Sequence, residues 1–403
     1  MLAWARERRV PVTPRGAGTG MTGGALAVRG GVVLSTERMT RVVEIDEEDL
    51  VAVVEPGVVL GDLQAMVEER GLFYPPDPAS LTSCSVGGNV AENAGGPRAF
   101  KYGVTREYVL GLDVVLMGGE TMSVGRRTSK GVTGYDVTAL LVGSEGTLGV
   151  ATSITLKLVP KPPAVAAMLA LLPSLAVAGE AVTAVLRLGQ RPRCLELMDR
   201  ASIDHVRPRA PFKIPERTAA AVMIEIDGDA EALDAALERC AQACERAGAT
   251  EVLVARDEKQ RRDLWATRRG ISPALKEAHR VKIAEDVVVP RGKISALLAR
   301  VDTIAAASRL EVATFGHAGD GNLHVNFLDD GRYSPPGRVE SAVAELFRAT
   351  LELGGTLSGE HGIGIAKARY LAWEQSGELI ALQRKLKQAL DPDHLLNPGK
   401  IFA

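Results

Sequence analysis

Several things are scarce in this 403-residue chain, and each scarcity removes a class of function. There are four cysteines, and the opening MLAWARERRV lacks the apolar core of a signal peptide. A disulfide framework is therefore not expected; the thiols read as reduced, with cytoplasmic residence as the default. Cys240 and Cys244 stand four apart on an Ala-rich helical pattern with Leu233 and Leu237, which is the pattern of core packing rather than of a metal site. Net charge is scarce too: 48 basic and 50 acidic residues leave −2. The basic clusters at 6–9 and 261–269 are short and mixed with acids, so no nucleic-acid partner is expected. The longest apolar run, Ala164 to Ala178, is interrupted by Pro173 and is too short to span a bilayer, so no transmembrane segment is expected. Histidine is rare, with six in all, and none precedes His205.

Glycine is what the chain has in quantity, 42 residues in all. Gly18, Gly20 and Gly23 in PRGAGTGMTGGAL spell G-x-G-x-x-G. A Rossmann loop needs a strand before it, a helix after it and an acid about 20 residues on. VPVTP can be the strand and Glu44 the acid, but the sequence continues into more glycines and a β-branched run, a poor helix. The alternative is an anion nest, in which backbone N–H groups converge on a phosphate. A second small-residue cradle runs from Pro75 to Gly103 and includes Gly87-Gly88 and Gly95-Gly96. A third turn, VGSEGTLGV, carries Glu145, which could accept from a ribose or an amide; Val142 stands where a serine nucleophile elbow needs glycine.

Short apolar runs between turns (GVVLS, RVVEI, LVAVVEPG, YVLGLDVVLMGGETM) predict strands in the first part, with one helix from Leu60 to Gly71. VPKPPA, Val159 to Ala164, reads as a boundary. Beyond it strands alternate with helical periods at 230–247, 292–307 and 338–354, predicting an α+β layer with helices on one face of a sheet.

The late histidines are informative through their spacing. In TFGHAGDGNLHVN, Asp320-Gly321 is a two-residue hairpin signal. A turn there would set His317 directly opposite His324, with Cβ atoms about 5 Å apart, able to share one metal ion. Asn326 would lie on the same face. SGEHGIG offers Glu360 as the third ligand and His361 as a base, because neighbours in extended chain point opposite ways. Imidazole plus carboxylate suits Zn²⁺ first, with Mn²⁺ or Fe²⁺ as alternatives.

Together PRGAGTGMTGGA, PPDPASLTSCSVGGNVAENAGGPRAFKYG and GYDVTALLVGSEGTLGV resemble the FAD-binding domain of the vanillyl-alcohol-oxidase/p-cresol-methylhydroxylase (PCMH) superfamily. HAGDGNLH and SGEHGIG are similar to motifs of its glycolate oxidase FAD-linked subunit and D-lactate dehydrogenase branch. The resemblance implies non-covalent FAD, held by Arg15, Gly16, Ala17, Gly18, Thr19 and Gly20 around the pyrophosphate. Asp77, Ser85, Gly87, Gly88 and Asn93 would come from the second cradle, Glu145, Gly146 and Val150 from the third, and Asn397 from the closing DPDHLLNPGK. It implies His317, His324 and Glu360 as metal ligands, His361 as catalytic base, and Arg268, Ser272 and Asn326 as substrate contacts. The implied domains are a PCMH-type FAD domain over 1–160, starting inside its usual β-α-β lead-in, a ferredoxin-like α+β cap over 161–370, and a flavin-contacting segment over 371–403.

The implied reaction is oxidation of glycolate or D-lactate to the 2-oxo acid. Electrons would pass to a non-nicotinamide acceptor: a quinone or a partner protein such as an iron–sulfur subunit. Peripheral placement at the inner membrane through that partner, and a homodimer, fall within the same expectation. Ala284 stands where 2-hydroxyglutarate members carry a Lys before their D-x-x-x-P strand, with Lys282 nearby but out of register, which weakens a dicarboxylate reading and leaves D-2-hydroxyglutarate as the alternative substrate. Two further rivals are a flavin-free metal hydrolase and a non-catalytic, truncated flavoprotein subunit.

Overall fold

The computed structural model describes residues 1–189, 191–331 and 337–402. The chain divides into two compact units, one formed by 1–96, 103–161 and 360–403, the other by 97–102 and 162–359. The expected 161–370 cap block therefore gives up its last residues: 360–370 belong with the first unit. The reason is local bonding, since Glu145 and Thr22 of that unit take the backbone N–H groups of Ile363, Gly364, Ile365 and Ala366.

In the first unit, strand Val12–Arg15 runs parallel to Val32–Ser35, and the glycine-rich segment between them forms no helix. The Rossmann reading therefore fails in the structure as it does in the sequence. Next comes an antiparallel five-stranded sheet in the order Val42–Asp46, Val51–Val54, Val150–Lys157, Val109–Val115, Thr121–Gly125. The helix expected over 60–71 is Leu60–Glu68; it stops because Gly71 turns to φ +71°. Leu2, Ala5, Val12, Met117, Val150, Leu395 and Leu396 bury a small core. Val150, expected at the cofactor, points its side chain into this core.

The second unit is built on one seven-stranded sheet. Its elements in chain order are β1 (Ala164–Leu172), α1 (Leu175–Leu186), β2 (Cys194–Asp199), α2 (Arg200–Val206), β3 (Ala220–Gly228) and α3 (Ala230–Ala247). Then follow β4 (Glu251–Val254), α4 (Glu258–Ala278), β5 (Val281–Val288), α5 (Ile294–Ser308), β6 (Glu311–His317), β7 (Asn322–Asp329) and α6 (Arg338–Glu352). The spatial order is β4-β1-β3-β2-β6-β7-β5, with every pairing antiparallel. Helices cover both faces, not one. Ile203 and Val206 of α2 and Leu264, Trp265, Ile271 and Leu275 of α4 pack on Leu169, Leu171, Met198, Met223 and Phe315. Side chains alternate along a strand, so the equally buried Met168, Ala170 and Val222 face the other way, toward α1 and α3. A sheet buried on both faces reads as continuous apolar sequence, as β1 (AVAAMLALL) does. Among the described residues no helix is long and apolar enough to cross a membrane.

Candidate active site

Pairing register assembles the second unit's part of the site. Glu196 of β2 pairs with His317 of β6; Phe315 and Ala313 of β6 pair with His324 and Asn326 of β7; these in turn pair with Asp286 and Ala284 of β5. Directly paired residues share a face, so Glu196, His317, His324, Asn326 and Asp286 all lie on the face that α2 and α4 cover. The hairpin differs from expectation. His317 pairs with Asn322 and not with His324, and residues 318–321 form a longer loop closed by Gly321 N–H donating to the His317 carbonyl at 3.1 Å. The register error is two residues, and an even shift preserves the face. The two imidazoles still meet, with Nε2 atoms 3.4 Å apart.

Glu196 organises this face and was missed in the sequence. One carboxylate oxygen lies 2.6 Å from His317 Nδ1; the other accepts from Arg268 Nε at 2.9 Å and Nη2 at 2.7 Å. Burial alone would raise its pKa, but His317 and Arg268, with a smaller contribution from His324, bring it down to about 2. A carboxylate on Nδ1 fixes the tautomer and turns Nε2 toward His324. Nε2 atoms 3.4 Å apart match two ligands about 2.0–2.1 Å from a tetrahedral centre, so the donor set fits a divalent ion. Arg268 is thus not a solitary clamp: it is fixed by Glu196 and stacks on Phe315 at 4.6 Å.

Asn326 is buried. Its Nδ2 donates to the Ala313 carbonyl at 3.0 Å and the His324 carbonyl at 3.1 Å, while Oδ1 has no protein donor. Asp286 accepts from Ser358 Oγ at 3.1 Å and from Gly359 N–H at 2.7 Å, pinning the segment that leads by one peptide bond into Glu360. The Ser272 hydroxyl accepts from Lys282 Nζ, whose pKa burial and then Lys276 bring down to about 8. Lys282 is two residues from Ala284, so it occupies the same face of β5 after all.

In the first unit the two glycine cradles meet. A Cβ on Gly16 would lie 2.4 Å from Ser85 Oγ, so any side chain there would have to displace that hydroxyl. Ser85 caps helix Val86–Glu92 by accepting from Gly88 N–H. Gly87 N–H donates to the Pro56 carbonyl, Asp77 is buried, and Asn93 at the helix end accepts from Arg106 N–H. Gly18 adopts φ +73° beside the Arg15 guanidinium, which pairs at 3.6 Å with Glu37. Ala17 is half-buried, while Gly18, Thr19 and Gly20 are exposed.

The Glu145 carboxylate, expected to meet a ribose or an amide, is already taken at 2.7 Å by each of the Ile363 and Gly364 N–H groups. Gly146 follows it at φ +66° against Pro14. Asn397 donates to the Glu145 and Gly24 carbonyls, and its buried Oδ1 lacks a protein donor. The glycine loops, which let backbone N–H groups approach closely, fit an anionic group, and the orphaned Asn397 Oδ1 fits a hydrogen-bond donor on the same cofactor. Glu360 and His361 do not diverge as extended neighbours would: the backbone bends there, and His361 Nε2 lies 3.8 Å from Glu360 Oε1. The His361 carbonyl accepts from Thr22 Oγ1 at 3.0 Å.

Two family models match this chain: an FAD binding domain over residues 1–125 and the C-terminal domain of FAD linked oxidases over residues 161–401. Glycolate oxidase subunit GlcD of Bacillus subtilis is 42% identical over 100% of this chain and 86% of its own length. A D-lactate dehydrogenase of Anaerostipes hadrus is 38% identical over 98% and 85%. A D-2-hydroxyglutarate dehydrogenase of Xanthomonas citri pv. viticola is 38% identical over 100% and 86%. Among solved structures, 4-ethylphenol oxidase of Gulosibacter chungangensis (TM-score 0.78, 21% identity, 100% of this chain and 86% of that one) shares the fold. So does p-cresol methylhydroxylase (TM-score 0.79, 17% identity, 99% and 85%). The glycine cradles, the sheet-face constellation and these matches lead to one conclusion: the chain belongs to the FAD-linked oxidases and is a flavin-dependent oxidoreductase with a PCMH-type FAD-binding fold.

Proposed function

We propose that this protein is an FAD-dependent dehydrogenase that oxidises a short D-2-hydroxy acid, glycolate or D-lactate, to the 2-oxo acid. The observation that carries this reading is the shared carboxylate of Glu196, which fixes a carboxylate-binding cation, Arg268, and a metal-type imidazole, His317, on one sheet face. A small hydroxy acid needs those two recognitions side by side.

Arg268 binds the substrate carboxylate with the part of its guanidinium fork that Glu196 leaves open. Asn326 Oδ1 offers an acceptor to the substrate. His317 and His324, joined by Glu360 one peptide bond beyond the pinned Gly359, hold a divalent ion, and His361 takes the hydroxyl proton. Arg15 to Gly20, Ser85 to Gly88 and Asn397 hold FAD without a covalent link. When bound, FAD supplies a two-electron acceptor and the divalent ion supplies Lewis acidity toward the hydroxyl. Electrons leave to a non-nicotinamide acceptor, a quinone or a partner protein; the likeness to a glycolate oxidase subunit supports the latter.

D-2-hydroxyglutarate is the second reading. Lys282 supports it, since its half-buried amine beside Ser272 lies on the site's face and could meet a distal carboxylate. Anaerobic mixing of the purified yellow protein with D-lactate, glycolate and D-2-hydroxyglutarate tests both readings. Flavin bleaching by a short acid supports the first, and bleaching by the dicarboxylate alone supports the second. A colourless protein, or a flavin that none of the three reduces, overturns both.

A further inference from the structure

The second unit carries another cluster of two histidines and a glutamate, which the reaction does not use. His205 lies on α2, His279 caps α4, and Glu311 opens β6. Their ligand atoms all fall within 4.8 Å of one another. Glu311 sits six residues before His317 on the same strand and on the same face, so at ~3.3 Å per residue the cluster lies about 20 Å from the His317 end.

The geometry points to a second divalent-cation site, a structural one taking a Zn²⁺-type ion. His205 Nδ1 lies 2.8 Å from the Ala201 carbonyl, which can only accept, so Nδ1 carries the hydrogen and Nε2 presents a lone pair. That Nε2 stands 3.0 Å from His279 Nε2. On its outer edge, His279 Nδ1 faces Asp330 at 3.7 Å, within ion-pair range but beyond a hydrogen bond. The Glu311 carboxylate reaches both rings, Oε1 lying 3.7 Å from His205 Nε2 and Oε2 3.7 Å from His279 Nε2. Separations of 3.0 and 3.7 Å are those between ligands about 2.0–2.2 Å from one centre at angles of roughly 90° and 130°. Two nitrogens and one carboxylate suit Zn²⁺, with the remaining position open to water.

The site has a mechanical role to play. α4 contains Pro273, which removes a hydrogen bond from the helix interior and weakens its hold on the last turns. Those turns follow Arg268 and Ser272 directly. An ion on His279, His205 and Glu311 ties the end of α4 to α2 and to β6.

The test is equilibrium dialysis of the metal-stripped flavoprotein against Zn²⁺, with bound ion counted per chain. Wild type is expected to hold two ions, His279→Gln and Glu311→Gln one each, and His324→Ala one. Glu311 is half exposed, so its variant should fold. Zn²⁺ should also raise Tm in His324→Ala and not in the double variant His279→Gln/His324→Ala. If wild type holds a single ion that His279→Gln loses and His324→Ala keeps, this inference stands and the metal part of the proposed function fails. If His279→Gln and Glu311→Gln both bind as much Zn²⁺ as wild type, the inference is overturned.

Discussion

The two ends of β6 carry the same three residue types in different surroundings. At the His317 end, Glu196 is fully buried and holds His317 and Arg268 in a fixed array. At the Glu311 end, the carboxylate is half exposed and among the described residues faces only the imidazoles of His205 and His279, while Asp330, on the far side of His279, is largely exposed. The same residue types are therefore organised in two ways. One is set in a low-dielectric network where charge and tautomer are fixed before any substrate arrives; the other is at the surface, suited to holding helices in place. On the two proposed readings, chemistry is separated from clamping by the second layer of groups, not by the residue types.

The largest expected effect that sharpens this contrast is at His324. Its replacement by Ala should slow anaerobic flavin reduction about a thousandfold, the several kcal/mol a Lewis acid contributes, with flavin content unchanged. Full activity in that variant would remove the distinction between the two ends.

Next is Glu196→Gln. It leaves Arg268 buried beside a neutral amide, and losing one partner of a buried pair costs about 3–5 kcal/mol. Urea unfolding should show that loss, and metal affinity at the His317 end should fall about 10–100-fold through the freed imidazole. The same exchange at Glu311 should leave the urea midpoint of the metal-free protein nearly unmoved, because an exposed pair is worth about 0–1 kcal/mol.

A smaller effect separates the substrate readings. Lys282→Met should cut kcat/KM for D-2-hydroxyglutarate about 10–100-fold, the worth of a hydrogen bond to a charged group, while sparing D-lactate. Equal losses on both substrates would mean that Lys282 serves Ser272 and not a distal carboxylate.

The last effect is one of pH and concerns Asp199, which caps α2 by accepting from Ser202 N–H at 2.8 Å and also accepts from Thr314 N–H at 2.6 Å. Burial lifts its pKa from 3.8 to about 6 against those hydrogen bonds, with Asp302 adding to the rise. The folded state thus holds the proton more tightly than the unfolded chain. The associated stability is complete below the unfolded value and is lost as pH rises through about 6. Denaturation midpoints should fall across that window in wild type and stay level there in Asp199→Asn; a slope unchanged in the variant would assign it elsewhere.

Much of this was legible in the sequence because it is local. The glycine loops, the strand-like run that argued against Rossmann, and the meeting of His317 and His324 on one face follow from residues close together in the chain. The hairpin survived a wrong turn length because an error of two residues keeps the face. What could not be read depends on distant partners. Glu196 lies in CLELMD, where a lone acid between buried leucines was the available signal, but its partners His317 and Arg268 are 121 and 72 residues away. Glu145 looked like a ligand for a ribose because nothing nearby showed that Ile363 and Gly364, 218 and 219 residues on, would take its carboxylate. Lys282 looked out of register only while position, and not face, was counted.

The central claim is that the α-carbon of a short D-2-hydroxy acid reduces the bound flavin. Single-turnover anaerobic reduction by D-lactate carrying protium or deuterium at that carbon measures it directly. The account predicts complete flavin bleaching, slower with deuterium. A flavin that stays oxidised with D-lactate, glycolate and D-2-hydroxyglutarate alike would contradict it.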